Sequence, residues 1–244
     1  MKKILLVSAL LFGALPLMAG ETGCVYDLKG PVEIMKTGQA EWKPALKGRP
    51  VAEGDRLRTG AGAWCEVLFK DGSFIKLEAG AEAAAESLKA TAEERSFSFS
   101  FLKGKALWMV AKVRGKVEAK FIVRTPTVVC AVRGTDFSML VSTAGQTTIG
   151  LFDGKVALSG AAVEKELLSG EEASADAAGL SIQDDLSKMM KAEEKRYSRL
   201  KSRVESLRKR LEERQDFIDD YIGRQQKKLS DFDARRAEKL KKRQ

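Results

Sequence analysis

The sequence predicts a mainly β fold: a β-helix-like or sandwich-like domain of short stacked strands, followed by a long α-helical, coiled-coil-like segment. Short apolar runs, separated by turn residues, fill the chain up to about Leu168. Several of these runs alternate apolar and polar residues, which is typical of strands with one buried face. From Gln183 onward there is no proline and one glycine, which favours a long helix.

The composition excludes several classes of site before any motif is considered. The chain has 244 residues, of which 44% are apolar and 32% charged, with a formal net charge of +9. It contains no histidine, so Ser-His-Asp and Cys-His catalysis and histidine-ligated metal sites are excluded. We expect no catalytic residues, no metal and no cofactor.

Residues 1–19 have the layout of a secretory signal peptide. Lys2 and Lys3 precede an apolar run from Ile4 to Leu17, and the small residue Ala19 marks the expected cleavage point. The run is shorter than the roughly 20 apolar residues that a membrane anchor needs. The mature protein is therefore expected to be exported, periplasmic or extracellular, with no transmembrane segment. Lipid attachment at Cys24 is the alternative.

Residues 20–170 are predicted to form the β domain. In Phe97–Phe101, a period of two places three rings on one face and two serines on the other. Glycine with a polar neighbour separates the strands, as in Asp71-Gly72 and Asp153-Gly154. The segment Ala79–Glu94 is predicted as a short helix or a loop. The predicted strands are Pro31–Met35, Trp64–Phe69, Ser73–Leu77, Phe97–Phe101, Ala106–Val110, Phe121–Val123, Phe137–Val141, Thr148–Phe152 and Val156–Leu158.

Residues 171–182 are small and acidic without apolar periodicity, which is typical of a linker. The helical segment then covers residues 183–244, with Gly223 as a possible corner between two helices. An apolar stripe runs along it, interrupted at Arg214, and predicts self-association. The alternatives are that the segment after Gly223 folds back over the stripe or that the outer face of the β domain covers it. The stripe consists of Tyr197, Leu200, Val204, Leu207 and Leu211.

The positive charge is concentrated in this helical segment. From Gln183 onward the sequence has 20 Lys and Arg against 13 Asp and Glu. This surplus is compatible with a solvated helix or with binding to an anionic envelope polymer or surface. Nucleic acid is not an expected partner of an exported protein.

The predicted mature chain contains three cysteines, and the extracytoplasmic compartment expected for it permits disulfides. A bond between Cys65 and Cys130 is possible, and two buried free thiols are the alternative.

Three phrases, in order along the chain, resemble the FecR domain. They are Gly54–Gly60 (GDRLRTG), Leu68–Ser73 (LFKDGS), and Arg124-Thr125-Pro126 continued by Val132–Phe137 (VRGTDF). Phe152–Val156 and Leu168–Glu171 are similar to the closing pattern of that family, so the resemblance covers roughly residues 25–171.

The resemblance implies an extracytoplasmic, non-catalytic all-β domain. In the regulator that gives the family its name, such a domain transmits a receptor signal to a sigma factor. This chain is more similar to stand-alone FecR-domain proteins. We therefore expect a binding or scaffold module of the bacterial envelope, with a signalling component as the alternative.

Two of the phrases contain turn residues with two possible roles. Asp71-Gly72-Ser73 is expected to form an Asx turn, and Arg133 is expected to pair with Asp136 across a turn. The alternative is a small ligand or partner site at Arg133, Thr135 and Asp136, with Trp64 as an exposed contact.

The predicted leader has a direct test. If the signal peptide is cleaved after Ala19, N-terminal mass spectrometry of the exported protein will find Gly20 first. A cytoplasmic protein that retains Met1 would contradict the prediction.

Overall fold

The computed structural model describes residues 22–90, 94–112, 118–160 and 163–241. The predicted signal peptide therefore lies outside the described residues. Within them, 17 strands and two helices are found. The strands form two nine-stranded sheets that share one strand and face each other as a sandwich. No helix in the described part of the chain is apolar over a length that would cross a bilayer.

Sheet A has wholly antiparallel pairing. In spatial order its strands are β4 (Pro50–Val51), β1 (Gly23–Lys29), β6 (Trp64–Phe69), β7 (Phe74–Leu77), the second part of β9 (Glu94–Met109), β12 (Asp136–Val141), β13 (Thr147–Asp153), β16 (Glu172–Asp176) and β17 (Gly179–Gln183).

Sheet B contains one parallel pair, β9 with β10, and is otherwise antiparallel. In spatial order its strands are β3 (Lys43–Pro44), β2 (Val32–Met35), β5 (Arg56–Thr59), β8 (Glu82–Ala90), the first part of β9, β10 (Glu118–Arg124), β11 (Val129–Val132), β14 (Lys155–Gly160) and β15 (Val163–Leu168).

Strand β9 passes from sheet B to sheet A at Gly104. This glycine has a φ of +92°, and a Cβ atom there would overlap the backbone of Ala81. A residue without a side chain is required because both the left-handed backbone and the close approach exclude one. The bend lets one strand take the central position in both sheets.

The main core lies between the sheets. The alternation at Phe97–Phe101 is confirmed: Phe97, Phe99 and Phe101 are buried, whereas the serines between them are half-exposed. Trp108 packs at 5.5 Å from the ring of Phe99 and stacks at 6.1 Å on Phe137. Each of the nine predicted runs overlaps an observed strand.

The prediction that residues 171–182 form a linker is wrong. Residues 172–176 and 179–183 form the hairpin β16–β17, and β16 pairs with β13 at the edge of sheet A. The small side chains that suggested a linker, Ala173 and Ala175, are buried there. The segment Ala79–Glu94, predicted as helix or loop, contains strand β8.

The helical segment consists of α1 (Lys188–Glu213) and α2 (Phe217–Lys241). Ser187 caps α1 by accepting a hydrogen bond from the backbone N–H of Met190 at 3.3 Å. The corner lies at Arg214, not at Gly223, which is within α2. Arg214 has extended backbone and donates to Asp220 at 2.7 Å, which ties α2 to the end of α1.

The two possible disulfide partners, Cys65 and Cys130, have free thiols. The disulfide hypothesis is therefore wrong for this structure. Cys65 lies in β6 of sheet A and Cys130 in β11 of sheet B. Burial raises the pKa of both thiols, which makes them inert. Cys24 is fully buried inside β1, which leaves no room for a lipid on its sulfur.

Candidate functional site

The sequence motifs lie on the outer face of sheet A, where they contact the helices. The central strands of this sheet are buried on both sides. In β6, Val67 and Phe69 enter the core between the sheets, whereas Leu68 points the other way. The outward residues form a second apolar cluster with both helices: Cys24, Leu68, Phe74, Leu107, Met109, Phe152, Leu186, Met190, Tyr197, Val204, Leu207, Phe217, Ile218 and Ile222.

The stripe predicted to mediate self-association is buried in this second cluster. Tyr197, Val204 and Leu207 are at most 5% exposed, and Leu200 and Leu211 pack against the same cluster. Self-association through these residues is therefore wrong for this structure, because the chain's own sheet covers them. Burial of each such side chain contributes about 1.5 to 3 kcal/mol to docking of the helix.

The Asp71-Gly72-Ser73 turn binds α1 through its backbone. As predicted, it is an Asx turn: Asp71 Oδ1 accepts from the Ser73 N–H at 2.8 Å, and Gly72 has a φ of +85°. The Gly72 carbonyl accepts from Arg208 Nε at 3.1 Å. Arg208 also donates to the Met109 carbonyl at 3.0 Å, so one guanidinium of α1 binds two strand ends.

Asp136 is paired with the helix and not with Arg133. Its Oδ2 accepts from the Tyr197 hydroxyl at 2.9 Å, and its Oδ1 lies 3.9 Å from Arg208. Burial raises the pKa of the Asp136 carboxyl above its ordinary 3.8, although Arg208 and the Tyr197 hydroxyl partly offset this. Burial likewise raises the pKa of Tyr197 to about 12.

The four residues predicted to contact a ligand or partner do not form one site. Thr135 and Asp136 are buried at 1% and 5% exposure, so they are closed to a ligand. Arg133 is exposed on the turn after β11. Trp64 is half-buried at the start of β6, with Lys76 Nζ 4.6 Å from its ring centre.

Two further carboxylates under the helix were not predicted. Glu66 of β6 is 1% exposed, and its Oε1 accepts from Arg203 at 2.5 Å with Lys76 at 3.5 Å. Glu193 of α1 is 6% exposed and accepts from Lys105 and Arg196, both at 2.7 Å. The sequence signal for Glu66 was its place as the one charge in the apolar run Trp64–Phe69. A charge buried in such a strand needs a partner, so the position could have been identified as an ion pair.

A cleft of about 720 Å³ opens beside the Asx turn and the end of α1. Its lining includes the cations Lys70, Arg95, Lys112 and Arg208 and the carboxylates of Asp71 and Glu212. This charge balance suits an anionic group more than a cation. In the described part of the chain, no three His, Cys, Asp or Glu side chains are grouped as metal ligands.

Comparison with known proteins adds one family match. The model of the family described as FecR protein matches residues 55–157, which include the Asx turn and the Arg133–Asp136 loop. No curated protein matches the chain.

Two crystal structures, at 1.65 Å and 2.50 Å resolution, match part of this chain. Both are described as a "putative anti-sigma factor" from Parabacteroides distasonis ATCC 8503. Each is 21% identical, with a TM-score of 0.45 over 53% of this chain. The chain spans 59% of the length of those solved chains, which is less than two thirds.

The contact between Tyr197 and Asp136 can be tested by replacing Tyr197 with Phe. The variant should lose about 1 to 3 kcal/mol of unfolding free energy at neutral pH, since a buried carboxylate loses a donor. The hydroxyl stabilises the ionised carboxylate, so the loss should shrink as pH falls through the raised pKa of Asp136. Urea unfolding at neutral and acidic pH measures both effects.

The matched control is Tyr221→Phe, which removes a hydroxyl that donates to the backbone carbonyl of Tyr26. That acceptor does not titrate, so its loss should be the same at both pH values. A Tyr197→Phe cost that is equally independent of pH would contradict the assigned contact.

Proposed function

Because the chain contains a FecR domain, we propose that it is an exported, non-catalytic binding protein of the bacterial envelope. Its sandwich would present the outer face of sheet B to a protein partner. The observation that carries this proposal is an asymmetry. The chain's own helices cover the outer face of sheet A, whereas no helix or strand among the described residues covers the outer face of sheet B.

The open face of sheet B is polar and held in place by ion pairs. Arg58 Nε donates to Glu33 at 2.6 Å, and its guanidinium lies 4.3 Å from the ring centre of Trp42. Farther along the sheet, Arg124 donates to Ser98 at 3.0 Å. Arginine and tryptophan are enriched at protein interfaces, and their fixed positions lower the entropy lost on binding.

In this proposal, the motifs that resemble the FecR domain hold α1 on sheet A and are separate from the partner-binding face. The Asx turn and Asp136 bind α1, so their role in this proposal is to position the helices. A FecR domain with an attached helical layer would act as a scaffold: one face holds its own helices, and the other is free for a partner. The alternative is a component of cell-surface signalling, as the family match suggests.

Site-specific photo-crosslinking in intact cells tests the proposal. A crosslinking residue at Ala131 of β11 reports on the open face, and one at Ser206 reports on the solvent side of α1; both positions are exposed. We expect a crosslinked partner in the envelope fraction from Ala131 and none from Ser206. If the partner is a receptor or a membrane-bound regulator, the signalling alternative holds.

Two results would contradict the proposal. Adducts formed only from Ser206 would place the partner on the helices, and recovery of the protein in the cytoplasm would exclude an envelope role.

A further inference from the structure

The second half of α2 extends away from the rest of the protein. Every residue from Gln226 to Leu240 is exposed. At about 1.5 Å per residue, this stretch is roughly 22 Å long. The buried residues of α2 are confined to its start, at Phe217, Ile218 and Ile222. In the described part of the chain, neither the sheets nor α1 bury this stretch.

The charges on this stretch are sorted by face. Lys228, Phe232, Arg235 and Lys239 follow the spacing i, i+4, i+7 and i+11, so they share one face of the helix. Leu229, Arg236 and Leu240 lie beside them on the same side. We call these seven residues the basic–apolar face. The series one position earlier, Lys227, Asp231, Ala234 and Glu238, lies on another side, and Asp233 lies at the edge.

The basic–apolar face combines exposed cations with exposed large apolar side chains. Phe232 is 63% exposed, Leu240 57% and Leu229 40%. Among the described residues, the four cations of this face form no salt bridge, whereas Asp219 and Asp220 near the start of α2 do. Both kinds of group therefore remain available to a partner.

The same face of a second copy of the chain does not fit this face. Two such faces would oppose cation with cation, because the face contains no carboxylate, and like charges across an interface disfavour association. The partner must supply negative charge to four cations and an apolar layer to Phe232 and the two leucines at the same time. An anionic lipid bilayer supplies both, since Lys and Arg bind the headgroups while Phe and Leu enter the acyl boundary.

We propose that the basic–apolar face of α2 docks the protein on anionic phospholipid. The helix would lie in the plane of the membrane surface and hold the sandwich beside the bilayer. This inference extends the proposed function, on which it rests for an envelope location, and it identifies the anionic partner as a lipid surface.

Vesicle sedimentation tests the proposal with two adjacent lysines as a matched pair. The protein is purified after export, with its processed N-terminus verified, and mixed with vesicles of pure phosphatidylglycerol or pure phosphatidylcholine. We expect binding to phosphatidylglycerol that weakens with added salt, and little binding to phosphatidylcholine. Lys228→Glu should weaken binding about fivefold or more, whereas Lys227→Glu should change it by less than about twofold.

A second variant pair tests the apolar part of the face. Phe232→Ser should weaken binding severalfold at every salt concentration, whereas Ala234→Ser on the other side should not. All four positions are exposed, so circular dichroism should show unchanged folding.

Three results would overturn the proposal. They are absence of binding to phosphatidylglycerol, equal losses for Lys227→Glu and Lys228→Glu, and a lipid-free dimer that Phe232→Ser dissociates. Each leaves the crosslinking at Ala131 unaffected, so a failure of the membrane proposal is distinguishable from a failure of the proposed function.

Discussion

Sheet A is apolar on both faces, and this constraint determines the rest of the architecture. A sheet in water can leave one face solvated only if that face is polar. In β6, β9 and β12, successive residues enter two different cores, so neither face meets this condition. The helices are therefore part of the folded domain: they remove Leu68, Phe74, Leu107 and Met109 from water. Sheet B, with serines and ion pairs outside, needs no such cover.

Polar groups set the position of the helices on that apolar face. Hydrophobic contact is not directional, and helix α1 could slide along the sheet if apolar packing were its sole attachment. Glu66, Asp136 and Glu193 are buried, and each is bound by a cation or hydroxyl across the interface. A shift by one turn would leave these carboxylates buried without partners, which is strongly destabilising. These polar contacts thus fix the position of α1 along the sheet, while the apolar cluster supplies most of the free energy of docking.

The sequence predicted the strands well and the helix partner poorly, for identifiable reasons. Alternation at Phe97–Phe101 and the glycine turns depend on local backbone geometry, which sequence patterns report directly. The sequence prediction included a layer over the outer face of the β domain only as an alternative, although the run Trp64–Phe69 is apolar except at Glu66, as is typical of strands buried on both faces. The helices that cover this face are held by contacts between residues more than 100 positions apart in the sequence, such as Arg203 and Glu66. Local periodicity gives no evidence of such contacts. The predicted ion pair between Arg133 and Asp136 was wrong for the same reason: Tyr197 and Arg208, which are distant in sequence, bind Asp136 instead.

If the helices are a layer of the folded domain, the sandwich and the helices form one cooperative unit. Equilibrium urea unfolding tests it with two probes: far-ultraviolet circular dichroism, which follows α1 and α2, and tryptophan fluorescence, which includes the fully buried Trp108. If the helices are the second layer of sheet A, both signals will change in a single transition with the same midpoint. Helices that unfold at lower urea, while the tryptophan fluorescence stays native, would contradict the account.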